Sequence, residues 1–225
     1  RGQVMEKKGS QLIKSIFDTD NFFMQICEKI LDLVTVNLLF LVSCLPILTL
    51  GIAKMSLYQT LFEIKKSRRV RVASTYMKAF RANAKLGLKL GLLELAIVGI
   101  SLFDLLLFWG QEALPFQVLK AVCLGFIIFT ELIALCLYPL AGHFDMSLKD
   151  SLQTSLIVVS LNFPWFFFMM AVMIGLIIVV YSSGFVLLLG WTVFVILGFA
   201  GLGFLQIGIL EKIFGKYENE KFIKE

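Results

Sequence analysis

The sequence has little charge for its length, since only 16% of its 225 residues are Asp, Glu, Lys or Arg. A soluble domain is usually about 25% charged. Hydrophobic residues make up 59% of the chain, and the mean hydropathy is +0.88. Several apolar runs reach about 20 residues, the length that crosses about 30 Å of hydrocarbon, and they do not alternate in polarity. The predicted fold class is therefore an all-α, polytopic bundle of membrane helices.

Residues that bind metal ions or act as nucleophiles are also scarce. The chain has four cysteines, none of them in a CxxC pair, and a single histidine, His143. Cysteines inside apolar runs usually act as small packing residues. The sequence contains no GxSxG, Walker A or HExxH pattern. We therefore expect a non-enzymatic protein without a cofactor or a metal ion.

The apolar runs predict about five membrane spans with interfacial amphipathic helices between them. The spans are about residues 30–50, 88–108, 116–140, 163–181 and 185–210. Residues 30–210 would form one membrane domain, preceded by an extracytoplasmic or interfacial segment (residues 1–29) and followed by a cytoplasmic tail (residues 211–225). Spans one and two, and spans three and four, share the order helix, Pro-then-Gly exit, interfacial helix, helix. This order suggests a parallel repeat.

Basic residues are concentrated after the first span. Residues 51–89 contain ten Lys or Arg residues and a single acid, Glu63. Loops rich in Lys and Arg stay in the cytoplasm. The sequence therefore predicts a multi-pass protein of the cell membrane with a basic cytoplasmic loop (residues 51–87), the N-terminus outside and the C-terminus inside.

Two stretches of this loop, residues 52–64 and 74–86, show the apolar spacing of amphipathic helices. Basic side chains recur every three or four positions near the second stretch, and we name this set the basic stripe: Lys78, Arg81, Lys85 and Lys89. Such a stripe favours contact with anionic lipid headgroups. Docking on an acidic protein is the alternative. We do not expect nucleic acid as a partner, because no nucleic-acid-reading module accompanies the charge.

Pro46 and Gly51 lie where the first span ends. Proline removes a backbone donor, and glycine allows the chain to bend. We interpret this stretch as an elbow that lays residues 52–64 along the cytoplasmic surface, where a partner could dock.

Four acidic residues lie inside predicted spans. Asp32 and Asp104 lie near outer ends, whereas Glu94 in the second span and Glu131 near the middle of the third lie deeper. An ionisable residue there costs about 2.5–3.5 kcal/mol on insertion scales, so each is a functional candidate. A spacing of seven residues places Ser101 on the face of Glu94 and Tyr138 on the face of Glu131. Three interpretations stay open for Glu131: a hydrogen bond between helices, a proton or cation relay, and contact with a partner's membrane helix.

The fifth span is rich in glycine, and Gly201 and Gly208 lie two turns apart in it. Small residues let helices approach closely. The pair predicts a packing seam, either within the fold or against another subunit.

Residues 31–61, LDLVTVNLLFLVSCLPILTLGIAKMSLYQTL, followed by YMKAFRANAKLG at 76–87, resemble the YesL family of bacterial integral membrane proteins. That family typically shows Asn-Leu-Leu, then Leu-Pro-Ile-x-Thr-x-Gly, a Leu-Tyr pair and later Phe-x-x-Asn. The matching positions are Asn37, Pro46, Thr49, Gly51, Tyr58, Phe80 and Asn83. The chain departs from the pattern at Ile52 and Ala84, where family members often have proline and an aromatic residue.

The resemblance carries no catalytic residues and no known activity. It implies a protein encoded beside carbohydrate ABC importers and two-component regulators of Gram-positive bacteria. We therefore expect an accessory subunit of a carbohydrate or oligosaccharide ABC importer, with the importer's permease subunits as partners. The alternatives are a self-contained carrier or channel for a small solute, and a membrane sensor for a sugar-responsive regulator.

Overall fold

The computed structural model describes residues 24–67, 69–182 and 184–218. The helices are α1 (residues 24–43), α2 (Leu50–Lys66), α3 (Val72–Ala82), α4 (Ala84–Leu107), α5 (Leu114–His143), α6 (Leu148–Leu161), α7 (Phe163–Val180), α8 (Gly184–Val193) and α9 (Phe199–Glu218). A 3-10 turn at Ile47–Thr49 precedes α2, and a π-helical segment at Phe194–Gly198 joins α8 to α9. Most of the predicted N-terminal segment, and residues 219–225 of the predicted tail, lie outside the described residues.

The prediction of an all-α polytopic bundle is confirmed. Among the described residues, four helical segments are long and apolar enough to cross a membrane: Ala84–Leu107, Leu114–His143, Phe163–Val180 and Gly190–Lys216. They correspond to the last four predicted spans, with ends shifted by up to six residues. The outward side chains of these segments are largely apolar and exposed, as a surface that faces lipid requires.

The first predicted span, residues 30–50, is not one continuous helix in the structure. Helix α1 ends at residue 43, and a turn through Pro46 separates it from α2. Proline cannot donate to the helix ladder and forces the preceding residue out of the helical region, which explains the early end. The first half of α1 also carries Glu28, Lys29 and Asp32. Helix α1 is not one of the four candidate spans.

Helix α2 lies at the centre of the bundle and not on its surface. Ten of its 17 residues are buried, and it packs against α3, α4, α5 and α9. The prediction that residues 52–64 lie along the membrane surface, open to a docking partner, is therefore wrong. Its exposed residues are Glu63, Lys65 and Lys66, near its last turn, so most of the helix has no free face to offer.

Polar residues do not prevent the burial of α2, because the helix satisfies them itself. The Ser56 hydroxyl donates to the carbonyl oxygen of Ile52 at 2.6 Å, and the Thr60 hydroxyl donates to that of Ser56 at 2.7 Å. Burying a hydroxyl is costly only when it lacks a hydrogen bond. These internal bonds make a helix of modest hydropathy compatible with the core.

Glycines bring α2 and α4 into backbone contact. A Cβ atom added to Gly91 would lie 2.8 Å from the backbone nitrogen of Gly51, and one added to Gly87 would lie 2.7 Å from the Cα of Ile52. Only glycine tolerates so close a crossing. The crossing positions the next turns of both helices, where the charged residues of the candidate site lie.

Helix α1 runs antiparallel to α2 and is fixed to the bundle by polar bonds. Near its start, the Lys29 ammonium donates to the carbonyl oxygen of Ser67, just after α2, at 2.7 Å. Further along, the buried Asn37 donates to the carbonyl oxygen of Val195 at 2.7 Å and accepts from the amide of Ala200 at 2.9 Å. The π-helical segment leaves such backbone groups without their usual helical partners, so Asn37 satisfies them.

Helices α3 and α6 are short, and each leads into a candidate span through one asparagine. Asn83 separates α3 from α4, and Asn162 separates α6 from α7. The predicted amphipathic helix is confirmed as α3, which buries Val72, Tyr76 and Ala79. It begins two residues before Ser74 and ends at Ala82, so the last residues of the predicted stretch 74–86 belong to α4. The shared asparagine junction is a feature that a parallel repeat would produce, and the repeat itself stays a prediction.

Candidate functional site

An ion pair links the central helix to the first candidate span. The Lys54 ammonium lies 2.5 Å from a carboxylate oxygen of Glu94, and their side chains are 29% and 14% exposed. A buried charge is tolerable only when it is paired. The tight glycine crossing one turn earlier holds the two side chains within reach of each other.

Tyr138 on α5 contacts both members of this ion pair. Its hydroxyl donates to the other carboxylate oxygen of Glu94, and its ring lies 4.9 Å from the Lys54 ammonium. A cation over an aromatic face is attracted by the ring quadrupole. Tyr138 shares a helix face with Glu131, as the spacing predicts, and both line one pocket, while its hydroxyl binds Glu94. Ser101, expected on the face of Glu94, is buried seven residues further along α4.

Glu131 lies two turns before Tyr138 on α5 and lines a pocket with it. No hydrogen bond or ion pair reaches its carboxylate from the residues that the structure describes. Of the three interpretations for Glu131, a hydrogen bond between helices therefore finds no support within the described chain. Its side chain lines the pocket without a hydrogen-bond partner among the described residues.

The last candidate span contributes one amide to the same region. The buried Tyr58 hydroxyl donates to the side-chain oxygen of Gln206 at 2.5 Å. The amide nitrogen of Gln206 is buried and has no partner among the described residues. A buried donor without a partner costs about 1–3 kcal/mol, so a bound acceptor would find an unused hydrogen bond there.

These groups surround one pocket of about 430 Å³, which we name the Glu131 pocket. Its polar or charged lining comes from Lys54, Tyr58, Glu131, Tyr138 and Gln206. Aromatic and thioether side chains form much of the remaining wall: Phe40, Phe168, Met169, Met173 and Phe199. The volume falls within the range of small-molecule sites, which are mostly apolar with few polar groups.

The residues of the family motif form structural connections and lie mostly outside this pocket. Thr49 donates to the carbonyl oxygens of Ser43 at 2.6 Å and Pro46 at 2.7 Å, which closes the elbow. Asn83 donates to the side-chain oxygen of Gln59 at 2.7 Å and so ties the α3–α4 junction to α2.

Two aromatic motif positions also act in packing. Phe80 stacks on Tyr76 with ring centroids 6.3 Å apart. Burial raises the pKa of Tyr76 to about 12, so its hydroxyl stays protonated beside Ser43 near neutral pH. The Leu-Tyr pair of the motif, Leu57 and Tyr58, lines the Glu131 pocket.

The basic stripe is exposed along its whole length, two residues on α3 and two on α4. Within the described chain, none of the four forms an ion pair. The stripe therefore offers positive charge at the end of the bundle where α4 begins.

The predicted glycine seam is displaced by a few residues. A Cβ atom at Gly201 would meet only Leu197 of the preceding turn, and one at Gly208 would lie 3.8 Å from the Lys65 ammonium. The close approach to α2 falls on Gly203, where a Cβ atom would lie 2.9 Å from Leu61. Within the described fold, Gly201 and Gly208 are therefore not positions of close helix approach, and a seam against another subunit stays a prediction.

Sequence reasoning missed Lys54 and Gln206 as site residues. Lys54 is the one charged residue in residues 50–62, and Gln206 is the one polar residue in residues 199–210. Lys54 precedes Tyr58 by four positions, so Lys54 and Tyr58 lie on one face of α2. The partners of these residues lie 40 and 148 positions away. No local pattern connects residues so far apart in the chain.

Comparisons with known proteins add one match. No curated protein sequence and no solved structure matches the chain. Residues 33–105, from within α1 to near the end of α4, match the family described as "Protein of unknown function, DUF624".

Proposed function

We propose that the chain is a YesL-type accessory membrane protein that works with a carbohydrate ABC importer of a Gram-positive bacterium and aids its assembly, stability or regulation. One observation carries the proposal. The family match at residues 33–105 covers the same segment as the Asn-Leu-Leu, Leu-Pro-Ile-x-Thr-x-Gly and Phe-x-x-Asn motifs. The importer association comes from the resemblance that these motifs carry.

The role of the motif residues supports an accessory function. They form the elbow, the glycine crossing and the ties around α2. Residues that hold helices together give a stable scaffold, which a subunit needs in order to stabilise a partner. The partner would meet the scaffold at lipid-facing helix surfaces and at the basic stripe, which also suits anionic headgroups.

The proposed location is the cell membrane, with the basic stripe and the C-terminus in the cytoplasm. The predicted outside N-terminus requires α1 to be a fifth span, since four spans place both ends on one side. Labelling of the half-buried Cys27 in sealed inside-out and right-side-out vesicles tests this point. Reaction from the cytoplasmic side alone would contradict an outside N-terminus.

Co-purification tests the importer association. We expect a tagged chain, extracted from the membranes of its own host in mild detergent, to retain the permease subunits of a carbohydrate ABC importer. Mass spectrometry identifies them, and a tagged unrelated membrane protein of similar size is the control. Recovery of the chain without permease subunits would count against the proposal.

The Glu131 pocket favours a second candidate, a self-contained carrier or channel. The observation that supports this candidate is Glu131, which lies inside a candidate span and has no hydrogen-bond or ion-pair partner in the described chain. Solute flux into proteoliposomes that depends on Glu131 would support it. Absent flux, or flux unchanged in Glu131→Gln, would exclude it.

A further inference from the structure

We propose that the Glu131 pocket binds a lipophilic cation, a ligand with a positively charged group on an apolar body. Ligand binding can be measured on the isolated protein, without an importer. A failure to find importer subunits would leave this proposal intact. Equally, a pocket that binds no cation would leave the importer proposal intact.

The charge balance of the pocket selects a cation. Of the described residues, the charged ones that line it are one ammonium, Lys54, and one carboxyl group, Glu131, and a second carboxylate, Glu94, lies behind Lys54. Lys54 and Glu94 form an ion pair at 2.5 Å, and Tyr138 donates to the same carboxylate. Glu131 is left as the one carboxylate without a partner among these groups. A bound cation would stabilise the charged form of this buried carboxyl group, whereas a bound anion would disfavour that form.

The wall of the pocket selects an apolar body. Aromatic rings of Phe168 and Phe199 and the thioethers of Met169 and Met173 line it. Aromatic faces attract cations, most strongly in a site without water. Methionine side chains are flexible and polarisable, and they adapt to ligands of different shape. A carbohydrate is a poor fit, because most of its hydroxyl groups would have no partner on this wall.

The mouth of the pocket faces the lipid. Phe168 and Val172 on α7 and Leu205 on α9 line the pocket and are 57%, 42% and 71% exposed. In a membrane helix, exposed apolar side chains face hydrocarbon. A lipophilic cation partitions into the bilayer and can therefore enter sideways between α7 and α9. A ligand that also carries an oxygen acceptor gains a hydrogen bond from the free amide nitrogen of Gln206.

Two ions of the same shape and opposite charge test the proposal. Tetraphenylphosphonium and tetraphenylborate are presented separately to the full chain in nanodiscs, and binding is measured by equilibrium dialysis against empty nanodiscs. We expect saturable binding of the phosphonium ion and no saturable binding of the borate ion. Equal saturable binding of both ions, or none of either, would overturn the proposal.

A matched pair of substitutions assigns the binding to Glu131. Glu131→Gln keeps the shape of the side chain and removes its charge, and we expect at least a tenfold weaker affinity for the phosphonium ion. Glu112→Gln makes the same change in the loop between α4 and α5, at an exposed position, and should leave the affinity unchanged. Unchanged affinity in Glu131→Gln would refute the assignment. If Glu131→Gln does not fold, the ion comparison on the unaltered chain still decides whether the pocket selects cations.

Discussion

The glycine crossing between α2 and α4 gives the sharpest prediction about stability. In Gly91→Ala, the new methyl carbon would lie 2.8 Å from the backbone nitrogen of Gly51 and 2.9 Å from its Cα. Ordinary contacts begin at 3.4 Å, so the two helices must separate by about 0.6 Å. Both partners are backbone atoms and cannot rotate away. We expect overpacking to cost about 2–3 kcal/mol, the upper part of the usual range.

Gly99→Ala on the same helix is the matched control. A Cβ atom at Gly99 meets nothing within 4 Å, so this substitution changes only the helix propensity, by about 1 kcal/mol in favour of alanine. The same propensity gain occurs at Gly91, and comparing the two variants removes it. The difference of about 2–3 kcal/mol corresponds to a melting temperature about 4–12 °C lower for Gly91→Ala in a chain of this size.

A thiol-reactive dye measures the melting temperature in detergent. Cys123 and Cys136 are buried in α5, 6% and 0% exposed, and react only when the bundle opens. Cys27 and Cys44 are half-buried and contribute a signal before the transition. Equal midpoints for Gly91→Ala and Gly99→Ala would refute a backbone contact between α2 and α4.

Three further predictions concern polar contacts. Lys54→Met leaves the Glu94 carboxylate without its cation, and an unpaired buried charge costs about 3–5 kcal/mol. We therefore expect Lys54→Met to melt at a lower temperature than the double variant Lys54→Met/Glu94→Gln. The reverse order of melting temperatures would contradict the ion pair. Thr49→Val removes two hydrogen bonds of the elbow and should lower the free energy of unfolding by about 1–3 kcal/mol. Thr35→Val, which loses one exposed hydrogen bond, is the control and should have a smaller effect in the same dye assay. Charge reversal of the basic stripe should reduce the number of anionic lipids that stay bound after extraction, because each basic residue contributes about 1 kcal/mol to lipid binding. Native mass spectrometry counts these lipids. An unchanged count would show that the stripe does not bind headgroups.

The last four spans could be predicted because the thickness of the bilayer fixes their length and polarity. Twenty apolar residues in a row have few alternatives to a membrane helix. The position of α2 could not be predicted in this way. Lys54, Gln59 and Thr60 give it the polarity of a surface helix, and its burial depends on partners elsewhere in the chain. Glu94 neutralises Lys54, and Asn83 binds Gln59.

The spacing of the glycines in the sequence indicates where helices cross. The glycine-rich fifth span predicts a seam at Gly201 and Gly208. In the structure, the closest approach of helix backbones at the described glycines joins Gly51 to the pair Gly87 and Gly91. That pair has the four-residue spacing of small residues at helix crossings. The spacing is visible in the sequence, but the partner helix is not, because α2 does not resemble a membrane helix.

The extent of the family match bears on how the pocket relates to the scaffold. Residues 33–105 include the elbow, the glycine crossing and both members of the ion pair, Lys54 and Glu94. Glu131 and Gln206 lie outside that segment, as do the α7 and α9 side chains at the mouth of the pocket. The pocket therefore joins the two parts of the chain, because Lys54 and Tyr58 of the matched segment line one side of it, and Glu131 and Gln206 of the later helices line the other.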